Sequence, residues 1–389
     1  MKLRHRDSLR LSCPFGLRVL LFVTLSALCS GQSSPKRARD LGIPFDGQPG
    51  AFNAITDVEG VLVGQRTLIS GHGSRAVRTG VTVVLANSEI RSVPAAVYCQ
   101  NGDGEMTGAH FIEEKGYLIS PVAITNTLGV GTACNGIAKW SLETDGLDHA
   151  VLLPVVAETW DGWLNDIEGF ALQESDVIHA LQTAHTGNVA EGNVGGGTGM
   201  ICHGYKGGIG TASRVLSEGD GGYTVGVLVQ ANHGERRELR IAGIPIGREL
   251  AEGGGKPDRD DGSIIVILAT DAPLLPTQLR RMARRIPLGL ARCGSFSGTE
   301  SGDIFLAFTT CEPDEAEDGT LELSSVPDAW MDPLFLAAVR ATEEAIVNAL
   351  VAAKTMKGYR GRTIEALPHD GIREALRRHG LLRANTKKR

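Results

Sequence analysis

The 389-residue chain predicts an α/β domain large enough to bury a sizeable core. Two observations carry that prediction. Short apolar β-type runs bounded by Gly, Asn and Asp recur along the chain, the strongest at 150–157, 224–231, 264–269 and 303–308. Between and after them lie stretches with apolar residues at helical spacing, notably Leu275 to Arg285 and the segment opened by Asp332 and Pro333 and running to about Gly358. The 50 glycines follow no triplet period and cluster between the runs, as expected of many tight turns and close backbone approaches.

The first element is a basic stretch with Lys2, Arg4, Arg6, Arg10 and Arg18, followed by an apolar run from Val19 to Leu28 and small residues around Ala27, Cys29 and Gly31. This pattern predicts a signal peptide over 1–31, with a periplasmic or secreted product. A cytoplasmic protein is expected if the extension is not a true signal. No later run reaches the ~18 apolar residues of a membrane span, so the mature chain is expected off the membrane. The net charge of −6, basic at both ends and acidic in the middle, argues against a nucleic-acid groove. Seven cysteines without a CxxC pair read as small buried apolar residues.

In order, strands are expected at Gly60 to Val63, Gly80 to Leu85, Tyr117 to Ile119, Val122 to Ile124 and Ala150 to Ala157. Helices are expected at Asn135 to Leu142 and from a Ser175 cap to Ala184, and Pro287 is expected to end or kink the one at Leu275 to Arg285. The glycine-dense region 192–210 lacks a preceding strand and a Walker-type Gly-Lys-Ser/Thr, so close packing is expected there rather than a nucleotide cradle. The tail from Arg373 reads as short and frayed.

Chemistry concentrates at Asp261-Gly262-Ser263-Ile264-Ile265-Val266, where a hydroxyl stands between a Gly-rich, charged loop from Glu252 and a strongly apolar run. Such a loop is easily cut. An N-to-O acyl shift, Ser263 attacking the Gly262 carbonyl, followed by ester hydrolysis, would make Ser263 a new amino terminus. Its α-amine, with an unperturbed pKa of ~7.7–8.0, is then a built-in base for its own hydroxyl. Glu158 and Asn232 end apolar runs while Ser301 and Asp303 begin one, so in an antiparallel sheet all four groups are expected to meet Ser263 at one edge. Taken singly, each is also a common turn or strand-end residue.

Four segments, Val155-Val156-Ala157-Glu158-Thr159-Trp160-Asp161-Gly162, Val229-Gln230-Ala231-Asn232-His233-Gly234, Asp261-Gly262-Ser263-Ile264-Ile265-Val266 and Ser301-Gly302-Asp303-Ile304-Phe305-Leu306, together resemble the DmpA-type aminopeptidases, which include L-aminopeptidase/D-esterases and β-peptidyl aminopeptidases. The likeness runs from about Gly42 to Asp370. It implies a four-layer αββα sandwich of the DmpA/ornithine-acetyltransferase type. It also implies self-cleavage between Gly262 and Ser263 into an α-chain, 32–262, and a β-chain, 263–389, and a homo-oligomer of such pairs. Ser263 would match the N-terminal nucleophile, Ser301 and Asp303 the pair holding its amine, and Asn232 the oxyanion donor. Glu158 would match the acid that binds the amino terminus of a short peptide or amino-acid amide. Trp160 stands where some members carry Tyr, making the substrate pocket more apolar, and Asp303 stands where some carry Glu, shortening the reach by one methylene. No cofactor and no metal are expected. The alternatives are acyl transfer of the ornithine acetyltransferase type, disfavoured because Ser263 replaces a Thr nucleophile, a secreted inactive binding protein, and a nucleotide-dependent oxidoreductase.

Overall fold

The structure, a computed structural model, describes residues 37–144, 151, 153–250, 262–315 and 318–382. The expected signal peptide over 1–31 and the loop from Glu252 to Asp261 lie outside the described residues. In chain order the strands that build the site are β1 (Leu62–Ser70), β2 (Val77–Leu85), β3 (Val93–Gly102), β4 (Tyr117–Leu118), β5 (Val122–Asn126), β6 (Val155–Thr159), β7 (Ile201–Cys202), β8 (Tyr205–Lys206), β9 (Gly208–Val215), β10 (Thr224–Asn232), β11 (Ser263–Thr270) and β12 (Gly302–Thr309). The helices are α1 (Ala109–Lys115), α2 (Val130–Glu143), α3 (Glu174–Gln182), α4 (Ile246–Glu249), α5 (Pro276–Ala283), α6 (Ile286–Arg292), α7 (Met331–Ala352) and α8 (His369–Arg378).

Two sheets stack face to face, one in the order β1-β2-β5-β6 and one in the order β4-β3-β12-β11-β10-β9. Side chains alternate along β11, and the alternation explains why the whole strand is apolar: Ile264, Val266 and Leu268 face one core while Ile265, Ile267 and Ala269 face another. The first core lies under α5, α6 and α7, where Leu279, Met282, Ile286, Ala341 and Ala345 cover the second sheet. Between the sheets, Val63, Val84, Ile124 and Val155 meet Leu228, Ile265, Ile267, Leu306 and Phe308. On the outer face of the first sheet, Val81, Val83, Ala123 and Val156 pack on Ala133, Ile137, Val177 and Ala180 of α2 and α3. The layers are therefore αββα, as the resemblance implies.

Several local expectations are corrected. Strand β3 carries Pro94 and small residues, and β9 opens in the glycine-dense region, so neither shows a strand signature. Pro154 delays β6 to Val155. The α3 cap is Gln173, with Asp176 bonding back to its N–H at 3.0 Å, rather than Ser175. Pro287 neither ends nor kinks α5, which stops at Ala283; it sits in the first turn of α6, where its missing N–H leaves no bond unmade. Helix α7 ends at Ala352, short of Gly358. The tail is held rather than frayed as far as Leu382, because α8 buries Ile372, Ala375 and Leu376 against the main core. Of the five described cysteines only Cys202 and Cys293 are buried; Cys99 is exposed, and Cys134 and Cys311 are half-buried.

Candidate active site

Ser263 is the first residue of β11 and is buried. Antiparallel pairing puts Asn232, the last residue of β10, directly opposite it, so both side chains lie on the face turned toward the first sheet. Strand β12 runs parallel to β11 with Ile264 beside Asp303, which brings Gly302 next to Ser263. The Gly302 N–H donates to Ser263 Oγ at 3.2 Å. A side chain at Gly302 would collide with the backbone of the next loop, since a Cβ there would lie 2.4 Å from the Asp103 carbonyl. Gly262 is fixed by the same kind of contact. Its backbone packs so closely on β10 that a Cβ would stand 1.7 Å from the Asn232 carbonyl oxygen.

The Asn232 amide is held at both ends. Its Oδ1 accepts the Ile201 N–H at 2.8 Å and its Nδ2 donates to the Trp160 carbonyl at 3.1 Å. A primary amide carries two Nδ2 hydrogens, and the Trp160 carbonyl takes one. Ser301 and Asp303 are fully buried, and Ser301 Oγ donates to Asp303 Oδ1 at 2.7 Å.

Glu158 and Trp160 come from elsewhere. The expectation of a single antiparallel edge is corrected in two respects: β11 and β12 are parallel, and Glu158 belongs to β6 of the facing sheet. The segment after β3 links the two sheets. The Glu105 N–H donates to Glu158 Oε1 at 3.2 Å, and Thr127 Oγ1 donates to Glu158 Oε2. Burial pushes the Glu158 carboxyl above its ordinary range, and the Thr127 and Glu105 donors pull it back in part. Trp160 is half-exposed and its indole lies against Gly162, where a Cβ would be 2.6 Å from Cζ2. The tryptophan therefore contributes a backbone carbonyl to Asn232 and an apolar wall to the surroundings.

A model of peptidase family S58 matches residues 53–364. The chain belongs to peptidase family S58. Over 384 residues it is 47% identical to the β-peptidyl aminopeptidase BapA of Sphingosinicella microcystinivorans, covering 92% of this chain and 96% of that protein. Among solved structures it resembles a β-aminopeptidase of a Burkholderia species, with 46% identity, a TM-score of 0.82, and 90% and 100% of the two chains covered. It also resembles the L-aminopeptidase D-Ala-esterase/amidase of Ochrobactrum anthropi, described as a variant of the Ntn hydrolase fold, with 47% identity, a TM-score of 0.82 and the same coverage. This S58 chain is an N-terminal-nucleophile aminopeptidase, a hydrolase that acts on peptides. That finding favours hydrolysis over acyl transfer, an inactive binding role or nucleotide-dependent chemistry.

Sequence reasoning missed the groups that act through the backbone, namely the N–H donors of Gly302, Glu105 and Ile201. It also passed over Thr127, although the Asn126-Thr127-Leu128-Gly129 turn was visible as a polar break after a strand. No metal-ligand spacing stands out in the sequence, yet the fold brings one ligand atom each of Cys202, His203 and His233, all buried, within 4.8 Å of one another. His203 Nδ1 donates to the Glu235 carbonyl at 2.9 Å. This donor set suits a borderline divalent cation such as zinc. Among the described residues no helix is long and apolar enough to cross a membrane.

Proposed function

We propose that this S58 enzyme cleaves itself between Gly262 and Ser263 and then removes amino-terminal residues from short peptides, amides or esters through an acyl-enzyme on Ser263. The observation that carries this reading is the convergence of Ser263, the oriented Asn232 amide and the Ser301–Asp303 pair at adjoining strand ends. In the precursor the Ser263 hydroxyl attacks the Gly262 carbonyl, the Gly262–Ser263 amide becomes an ester, and water hydrolyses it. This releases the 32–262 chain and leaves 263–389 with a free α-amine.

In turnover that amine takes the hydroxyl proton as Oγ bonds to the substrate carbonyl carbon. Asn232 Nδ2 donates to the resulting oxyanion, an interaction of ~2.7–4 kcal/mol in comparable sites. The amine returns the proton to the leaving nitrogen, the C–N bond breaks, and water frees the acyl group from Ser263. Ser301 and Asp303 hold the amine in place. Glu158, ionised, pairs with the substrate ammonium, and an endopeptidase substrate offers none there.

The chain's likeness to β-peptidyl aminopeptidases supports a β-amino residue at the scissile position as one accepted substrate. Processed pairs associate as a homo-oligomer, and the 1–31 leader directs the chain to the periplasm or outside the cell. The test is turnover of α- and β-amino-acid amides beside their N-acetylated counterparts, in wild type and Ser263→Ala. Hydrolysis restricted to the free-amine substrates and absent from Ser263→Ala is expected. Equal turnover of the acetylated substrates would overturn the role of Glu158, and an active Ser263→Ala would overturn the mechanism.

A further inference from the structure

Lys206 has no place in the chemistry above, yet it is a lysine with no exposed surface, and lysines are almost never fully buried unless paired. It ends the short β7–β8 hairpin and is separated from β9 by Gly207 alone. Its Nζ donates to three backbone carbonyls, those of Met200 at 2.6 Å, Gly207 at 2.8 Å and Gly197 at 3.2 Å. An ammonium has three N–H donors and no acceptor, so the three carbonyls satisfy it completely. No glutamine or arginine reproduces that geometry, because an amide offers two donors in a plane and a guanidinium a rigid fork.

The gathered segment ends at the oxyanion donor. Met200 is followed by Ile201, whose N–H fixes Asn232 Oδ1. The carbonyl held at 2.6 Å by Lys206 belongs to the same peptide unit as that N–H, so the planar peptide transmits the position of one to the other. On the opposite flank the segment packs on Asp161: a Cβ at Gly199 would lie 2.8 Å from Asp161 Cβ. Asp161 follows Trp160, whose carbonyl takes the other end of the Asn232 amide. Burial pulls Lys206 down to about 7, against the opposing pull of Cys202 and Asp161. Burial likewise pushes Asp161 up to about 7, against the Asn165 amide that donates to its Oδ1 at 3.0 Å. The hairpin is also tied to the strand end it serves, since the His203 N–H donates to the His233 carbonyl at 2.7 Å.

We propose that Lys206 is the positioning residue of the oxyanion donor: by clamping the Gly197, Met200 and Gly207 carbonyls it fixes the Met200–Ile201 peptide that orients the Asn232 amide toward Ser263. The residue touches neither substrate nor nucleophile and acts only through Asn232. This inference rests on the reading of Asn232 given above.

The experiment is a double-mutant cycle of Lys206→Met and Asn232→Ala in the full-length chain, read as kcat and KM on an amino-acid amide. Lys206→Met is expected to lower kcat about 10- to 100-fold, below the ~10²–10³ of a lost oxyanion donor, with KM changed less than about threefold. In the Asn232→Ala background the same substitution is expected to have almost no further effect, because the group it positions is gone. Lys206→Gln, which keeps two donors, is expected to fall between wild type and Met, and it serves in place of Met if that variant fails to fold. If the single variants emerge uncut, the cycle is read on their self-cleavage rates by intact mass. Multiplicative losses in the double variant, or a wild-type kcat in Lys206→Met, would overturn the inference while leaving Asn232 its role. A fully active Asn232→Ala would overturn the reading of Asn232 itself.

Discussion

Asn232 and Ser263 are directly opposed residues of the antiparallel strands β10 and β11, so the distance between an amide donor and a hydroxyl is set by backbone register rather than by flexible loops. A register slip of one residue would turn either side chain to the other face of the sheet. The Ile201 N–H and the Trp160 carbonyl then fix which way the amide points. Asn232→Ala is accordingly expected to lower kcat by about 10²–10³ with KM little changed. Steady-state kinetics on a processed sample check this, and a loss confined to KM would contradict it.

Gly262 has no room for a side chain, with a Cβ position 1.7 Å from the Asn232 carbonyl. Gly262→Ala must push β11 away from β10 at the proposed cleavage bond. The expected outcome is a folded chain that remains uncut, seen as a single mass with native-like circular dichroism. Processing at the wild-type rate would show that this contact does not govern the geometry of attack.

Glu158 yields a pH prediction. Burial raises its folded pKa above the ordinary 4.5, so the neutral form is favoured by folding. Its contribution to stability is therefore full below that ordinary value and is lost as pH rises through the folded pKa. Binding has the opposite sign, because only the carboxylate pairs with a substrate ammonium. Two protonations shape the acid side of kcat/KM: that of the Ser263 α-amine, which Glu158→Gln retains, and that of Glu158 above pH 4.5, which the variant lacks; the variant should also lose about 10- to 150-fold in kcat/KM, the equivalent of a ~1.5–3 kcal/mol charge-assisted bond. An acid-side profile unchanged in the variant would remove Glu158 from it.

Far from the site, Glu344 on α7 is fully buried between Arg214 Nη2 at 2.7 Å and Arg39 Nε at 2.7 Å. Removing the carboxylate leaves a buried guanidinium without its counter-charge. Glu344→Ala is expected to destabilise the fold by about 3–5 kcal/mol, with kcat of the surviving folded enzyme unchanged. Urea unfolding measures the first and turnover at low denaturant the second.

The sequence announced the parts of this protein that rely on side-chain pattern. The apolar runs of β10, β11 and β12 are continuous because both faces are buried, and each begins or ends on a residue of the site. Strand β3 was invisible because Ala95 and Ala96 pair through the backbone with β12, Pro94 pairs with β4, and all three carry little β-preference of their own. The second sheet of origin for Glu158 was hidden for a different reason: it depends on which strands pair, a long-range outcome that no local window contains. Pro287 reads as a breaker from its ring alone, while whether it interrupts a helix or opens one is decided by the turn at Arg284 and Arg285 before it. Backbone donors such as the Gly302 and Ile201 N–H groups leave no mark on residue identity at all.

The most direct measurement is the intact mass of the purified protein, run beside Ser263→Ala. Two chains are expected in the wild type, the smaller beginning at Ser263, and one uncut chain in the variant. A wild type that stays whole, matching the variant, would contradict the claim that Ser263 becomes an N-terminal nucleophile.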